Sequence, residues 1–316
     1  MKKYCKALIL NDTSYEGHVG SMLVMSVIRS IVSDVSKSCK SLSIVDVRKS
    51  FSVDEFKSFD LVVLNGEGTF HNDSKAGIIW FKVLSELSKQ EGRRKFVLLN
   101  SAWFENIRLN EMLPIFDVAV FRDFQSLNNA SRYLEVEPII CPDFAFFGAL
   151  NLDPVSDNGA LDKNVNAEQF GVNGSGLFNV KNDIKLSIFV GSNRLKTFFH
   201  QLNRKDLVSI KRIKDKFNEH FLHVRFKTLS DYISSMACLD TLYTARFHGV
   251  VIGIAKNIDI AWSSSNTPKI EANAYLFSEL AGVEVTPNSW LHLQEEDYDR
   301  MLKNADMLLK NVVNDI

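Results

Sequence analysis

Short apolar runs alternate with amphipathic stretches through the first half of the chain. Ala7-Leu8-Ile9-Leu10 reads as a buried strand that ends in the polar loop Asn11 to Gly20. From Ser21, the residues Met22, Val24, Met25, Val27, Ile28 and Ile31 fall at helical spacing. Strands are predicted again at Leu42–Val47, at Leu61–Leu64 (stopped by Asn65-Gly66-Glu67-Gly68), at Lys95–Asn100 and at Asp117–Arg122. Ile78–Leu87 is helical, a further helix opens near Ser126, and Ile139-Ile140-Cys141 precedes Pro142-Asp143. Such alternation predicts a doubly wound parallel sheet, in which ligands bind beyond the C-terminal ends of the strands.

The texture then changes. Residues 151–183 are rich in Asn, Asp and Gly with little periodicity, as expected of a linker or mobile loop. The pattern restarts with a strand at Lys185–Val190, ending at Gly191-Ser192-Asn193-Arg194, and a basic helical stretch from Leu207 to His220. His223–Phe226 is strand-like, Ser230 caps a helix to Met236, Thr241–Thr244 leads into Arg246-Phe247-His248, and Ile258–Trp262 is another strand. Leu302, Met307, Leu308 and Leu309 lie on one stripe of a terminal helix. The predicted organisation is α/β. It has an N-terminal Rossmann-like domain over 1–150, a linker over 151–183, a C-terminal Rossmann-like domain over 184–293, and a helix over 294–316 that packs back across them. Two such domains facing a cleft would give a GT-B-like arrangement, with the site between them.

Composition narrows the class. The chain has 316 residues, 46% of them apolar and 24% charged, the balance of an ordinary globular protein. A net charge of −1 leaves no field to recruit polyanions, so nucleic acid is not an expected partner. Arg93-Arg94-Lys95 reads as a solvated loop. Cys5, Cys39, Cys141 and Cys238 are scattered and form no CxxC pair, consistent with a reduced cytoplasmic setting. No stretch approaches the roughly 20 apolar residues that span a bilayer. Peripheral contact at the inner face of a membrane stays open.

The most informative chemistry lies at Thr244-Ala245-Arg246-Phe247-His248-Gly249, followed by the apolar run Val250–Ala255. Gly249 is expected to open a buried helix. An N-terminal set of backbone N–H groups, a guanidinium and an imidazole together make an anion site with a proton donor. The plainer alternative is a strand-to-helix turn in which Arg246 and His248 cap loops. Glu67, flanked by two glycines at a strand end, reads as functional. His71, beside Asn72-Asp73, is balanced between a ligand and a loop cap, and His18 sits in the Gly-rich loop after the first strand. His200, His220 and His223 read as surface or structural. Trp103 or Trp262, if exposed, would stack on a sugar, but a core or interface role is favoured. Asp12, Glu16 and His18 share one loop without a second cluster, so no metal is expected, and no cofactor either. Neither a Gly-x-Ser-x-Gly elbow nor a phosphate-binding Gly-Lys loop is present.

Asn65-Gly66-Glu67-Gly68-Thr69, Arg122-Asp123-Phe124-Gln125-Ser126, Pro142-Asp143 and Arg246-Phe247-His248-Gly249, in this order, resemble the polysaccharide pyruvyl transferase family. Phe247 stands where that family has Leu, and Glu16-Gly17-His18-Val19-Gly20-Ser21 departs from its usual Asn-x-Gly-Asp loop. Lys269, after Asn266-Thr267-Pro268, matches a lysine that the family often carries. The resemblance implies transfer from phosphoenolpyruvate onto sugar hydroxyls of a cell-surface polysaccharide, or of a saccharide or lipid-linked precursor, giving a cyclic ketal. It makes Arg246, Arg194, Gly249 and Lys269 the donor-binding candidates. His248 is then the general acid, with Glu67 and His18 as further catalytic candidates, and Glu67, His71 and Asn65 face the acceptor. A glycosyltransferase using a CMP- or UDP-sugar, with Glu67 or His18 as acceptor base, and a non-catalytic assembly protein of the same fold are the alternatives.

Overall fold

The computed structural model describes residues 2–152, 165–169, 184–185, 226–262, 269–284 and 290–316. The expected helix Leu207–His220 and Arg194, His200, His220 and His223 lie outside the described residues, as do most of 151–183 and all of Lys185–Val190 beyond its first residue. The chain divides into two compact units. One comprises Met1–Tyr15, Val24–Phe144 and Leu302–Ile316, and the other Glu16–Leu23 and Ala145–Met301.

The first unit is built on a six-stranded, all-parallel sheet: β1 (Tyr4–Leu10), β2 (Ser36–Leu42), β3 (Leu61–Asn65), β4 (Lys95–Ser101), β5 (Val118–Phe121) and β6 (Ile139–Ile140). Every residue of β3 and β5 is buried, which is why these strands read as unbroken apolar runs rather than alternating ones. The order is β2-β1-β3-β4-β5-β6. From β1 the sheet grows toward β2 on one side and β3 on the other, so β1/β3 is the switch point where the connections leave a crevice beyond the strand ends.

Helices α1 (Val19–Val35), α2 (Ile44–Lys49), α3 (Lys75–Ser88) and α4 (Phe124–Ser131) connect these strands. The second strand departs from expectation. β2 ends at Leu42, and the predicted strand residues Ile44–Val47 are instead helical. The cause is a capping box: Ser43 Oγ accepts from the Asp46 N–H, while Asp46 accepts from the Ser43 N–H at 2.8 Å. β2 itself is a polar edge strand, Ser-Lys-Ser-Cys-Lys-Ser-Leu, whose apolar signal is too weak to see. The basic triplet is not simply solvated either. The Arg94 guanidinium donates to the carbonyls of Phe59, Leu87, Gln90 and Lys57 at 2.9–3.2 Å, tying the end of α3 to the segment before β3.

The second unit carries a five-stranded sheet in the order β11-β10-β9-β7-β8, comprising β7 (Val165–Gln169), β8 (Ile184–Lys185), β9 (Leu239–Thr244), β10 (Asp259–Trp262) and β11 (Trp290–Leu291). All its pairings are parallel except that of the edge strand β11 with β10. Its helices are α5 (Phe144–Leu150), α6 (Leu229–Met236), α7 (Phe247–Ala255) and α8 (Lys269–Ala281). Within α7, a Cβ on Gly253 would stand 2.7 Å from Ile260 Cδ1, so the helix lies almost directly on β10. The terminal helix α9 (Glu295–Asp315) begins in the second unit, where Tyr298 donates to the Ala255 carbonyl at 2.6 Å. It ends in the first, where Lys3 and Tyr4 donate to the Ile316 carbonyl. Among the described residues no helix is long and apolar enough to cross a membrane.

Candidate functional site

At the β1/β3 switch point the two strand-end loops are locked together by side-chain amides. Asn11, in left-handed backbone at φ 62°, donates to the Asn65 carbonyl and to Thr69 Oγ1 and accepts from the Trp80 indole N–H. Asn65 donates back to the Asn11 carbonyl at 3.1 Å and accepts from the Glu67 N–H at 3.0 Å. Asn65 is fully buried, and these bonds hold the loop. Glu67, itself 6% exposed, accepts from Thr13 Oγ1 at 2.8 Å. A Cβ on Gly66 would fall 2.5 Å from the Ser101 backbone, so this turn requires glycine for close approach to β4. His71 forms an isolated backbone bridge with Phe104 beside β4. Asp12 is engaged by Arg29 at 2.5 Å and by Ser14 at 2.6 Å.

Two motif positions prove to be internal supports. Arg122, 2% exposed, donates to the fully buried Asp143 carboxylate at 2.7 Å, joining the Arg-Asp segment to the Pro-Asp segment. Asp123 caps α4 through the Ser126 N–H at 2.7 Å, and Ser126 Oγ accepts from the Trp103 N–H. Trp103 and Trp262 are buried in the core.

In the second unit, α7 starts two residues earlier than the glycine suggested. Arg246 is the N-cap, and the first helical bond runs from the Val250 N–H to the Arg246 carbonyl. Thr244 Oγ1 accepts from the Arg246 N–H at 3.0 Å and so forms the turn out of β9. The N–H groups of Phe247, His248 and Gly249 therefore make up the first turn, where orphan donors and the helix dipole favour an anion. Arg246 and His248 are half-buried at this end, while Gly249 through Ala255 are wholly buried. Lys269 is the first residue of α8, half-buried.

Sequence reasoning missed what surrounds His248. The His18 ring lies edge-on to it with centroids 5.2 Å apart, and Phe247 packs on it at 5.0 Å. A Cβ on Gly20 would fall inside the His248 imidazole. His18 precedes α1 as its cap, its carbonyl accepting from the Met22 N–H at 3.0 Å and its Nδ1 from the Ser21 N–H at 3.4 Å. In the neutral ring this leaves the proton on Nε2. The segment Glu16–Leu23 thus belongs to the unit that carries Arg246, although it follows β1 after only the loop Asn11–Tyr15. Paired glycines after a strand were the available signal, but their partner could not be read locally. Among the described residues no three His, Cys, Asp or Glu side chains gather as a metal would need.

The family model described as polysaccharide pyruvyl transferase matches residues 23–259. The chain belongs to this family. Membership makes it a transferase, and it accounts for the order of the Asn-Gly-Glu-Gly, Arg-Asp, Pro-Asp and Arg-Phe-His-Gly segments. No curated protein matches the chain. Among solved structures it is similar to UDP-GlcNAc 2-epimerase from Methanocaldococcus jannaschii, at 11% identity and TM-score 0.50, covering 98% of this chain and 93% of that one. It also resembles UDP-GlcNAc 2-epimerase from Neisseria meningitidis bound to UDP-GlcNAc, at 8% identity and TM-score 0.45, covering 100% and 93%. At 11% identity the likeness to the Methanocaldococcus structure concerns the fold alone, which in this pyruvyl transferase family member is α/β and GT-B-like.

Proposed function

We propose that the chain transfers the pyruvyl group of phosphoenolpyruvate to two hydroxyls of a saccharide, as a cyclic ketal on a surface polysaccharide or its lipid-linked precursor. The observation that carries this reading is the gripped imidazole of His248 at the N-terminus of α7, beside Arg246. Phosphoenolpyruvate brings a phosphate and a carboxylate. Arg246, Lys269 and the first-turn N–H groups, Gly249 included, supply the cations and donors to bind them, and Arg194 is the further candidate cation. In the reaction the methylene carbon gains a proton and becomes a methyl. Two acceptor oxygens bond to the adjacent carbon, and its bond to the phosphate oxygen breaks. Of the two hydroxyl protons released, one balances that gained by carbon and the other leaves with inorganic phosphate. His248 delivers the proton to carbon, and His18 and Gly20 fix its ring. Glu67 deprotonates an acceptor hydroxyl, His71 orients the acceptor, and Asn65 positions Glu67.

A thermal-shift panel of phosphoenolpyruvate, UDP and CMP tests the donor, because a ligand that binds only the folded state raises the midpoint. Phosphoenolpyruvate is expected to raise it in the wild type and not in Arg246→Ala. A shift with UDP or CMP alone would replace this reading with a nucleotide-sugar glycosyltransferase.

A further inference from the structure

A recess of about 210 Å³ lies wholly within the first unit, between the chain leaving β4 and the outer face of α4. We propose that it is a monosaccharide subsite, holding a sugar residue of the acceptor next to the one that is modified. This rests on the acceptor role given above to the Glu67–His71 loop.

Position is the first support. Trp103 follows the end of β4 and Gln125 follows the end of β5, so the recess opens where ligands bind in a doubly wound sheet. Its wall is joined directly to the His71 loop, since the Asn72 N–H donates to the Phe104 carbonyl at 2.9 Å and the Phe104 N–H to that of Phe70.

Its chemistry is the second. Asn106, Asn110, Gln125 and Asn129 line it; the amides of Asn106 and Asn110 are buried and spent within the wall, so Gln125 and Asn129, both exposed, are the amides offered to a ligand. An amide both donates and accepts, as does each hydroxyl of a pyranose. The half-buried ring of Phe104 offers an apolar surface for the C–H face of a sugar. Arg132 and Glu105 balance one another, so the recess lacks the cation excess that a phosphate would need. Its volume is below the roughly 300–1,000 Å³ of pockets for drug-sized ligands, and suits one ring.

Rigidity is the third. Three of the amides already brace the wall. Asn129 donates to the Trp103 carbonyl, Asn106 to that of Phe70, and Asn110 both donates to the Asn106 carbonyl and accepts from the Trp103 indole. Asp73 accepts the N–H groups of Ile107, Arg108 and Leu109, which pins the rim. The shape is therefore set before a ligand arrives, which lowers the cost of binding. Gln125 on α4 and Arg132 at its C-cap are exposed on one face; the Arg132 guanidinium rests over the Tyr133 ring at 4.7 Å, and both side chains keep donors that a sugar hydroxyl can meet.

The test is ligand-observed saturation-transfer NMR on the whole protein, without donor, using the methyl glycosides of galactose, N-acetylglucosamine and glucuronic acid. At least one is expected to bind the wild type and to lose affinity about tenfold in the Gln125→Ala/Arg132→Ala double variant, with the thermal midpoint unchanged. No binding by any of the three, or equal binding by the variant, overturns the subsite. If phosphoenolpyruvate fails to stabilise the protein while a glycoside binds in a Gln125-dependent way, the donor assignment falls and the subsite stands. Stabilisation by phosphoenolpyruvate without glycoside binding removes the subsite alone.

Discussion

The loop after β3 and the loop after β9 both carry ionisable side chains beyond a strand end, yet they are held by different means. Around Glu67 the work is done by hydrogen bonds. Asn11 and Asn65 exchange side-chain-to-backbone contacts, and Thr13 donates to the carboxylate. Around His248 shape contributes as well, with the ring lodged between His18 and Phe247 against the backbone of Gly20. A hydrogen-bonded cage orients a carboxylate but must be complete, because each buried polar group left over costs about 1–3 kcal/mol. A steric wall tolerates polar change nearby and fails when a single methyl group is added.

Changes at the two loops should therefore differ in kind, and the largest effect is expected at the imidazole. His248→Gln should lower turnover by roughly 10²–10⁴-fold while stabilisation by phosphoenolpyruvate persists. Lost binding with intact turnover would reduce His248 to a donor contact. Next is Gly20→Ala, which forces the ring to move. Displacements near 1 Å can cost on the order of 10²-fold in rate, and kcat is expected to fall by that much with little change in KM for the acceptor. Undiminished turnover would show that the ring has room to step aside, and the contrast between the loops would weaken.

The cage should answer in stability instead. Asn65→Ala strands the Glu67 N–H and the Asn11 carbonyl, and chemical denaturation is expected to show a loss of about 2–4 kcal/mol. A loss well under 1 kcal/mol would mean that the loop re-pairs without its amide.

The smallest effect concerns acid. Burial pushes the Asp73 carboxyl up, but the N–H groups of Arg108, Leu109 and Ile107 outweigh it and hold it below the usual value. A carboxyl depressed in the folded state adds stability above its unfolded pKa of about 3.9, and that stability disappears as pH falls through the folded value. Hydrogen exchange at Ile107–Leu109, corrected for intrinsic rates, should therefore lose protection below about pH 4 in the wild type. Asp73→Asn should show weakened protection already at neutral pH. Equal protection in both proteins at neutral pH would show that the rim is held by something other than this carboxylate.

What was legible in the sequence follows from how local each cause is. β1, β3, β4 and β5 could be read because buried parallel strands are continuous apolar runs, and the Asn65–Gly68 turn because glycines punctuate it. The polar edge strand β2 gave no such signal, and the capping box of Ser43 and Asp46 was hidden inside an apolar stretch. The start of α7 was set late, at Gly249, because the turn is made by Thr244 Oγ1, a side-chain acceptor that periodicity does not register. The buried pair Arg122–Asp143 was visible only as two short motifs. Hardest of all was the contact of Gly20 with His248, since it joins segments far apart in the chain.

That last contact bears on modularity. The unit that carries Arg246 is discontinuous, and it borrows Glu16–Leu23 from ahead of most of the other unit. A fragment beginning at Ala145 would keep the Arg-Phe-His turn but lack the wall against which its imidazole rests. The two halves of this gene product are thus not interchangeable cassettes. In any chimera that swaps the C-terminal part, the loop around Gly20 has to travel with it as a separate graft.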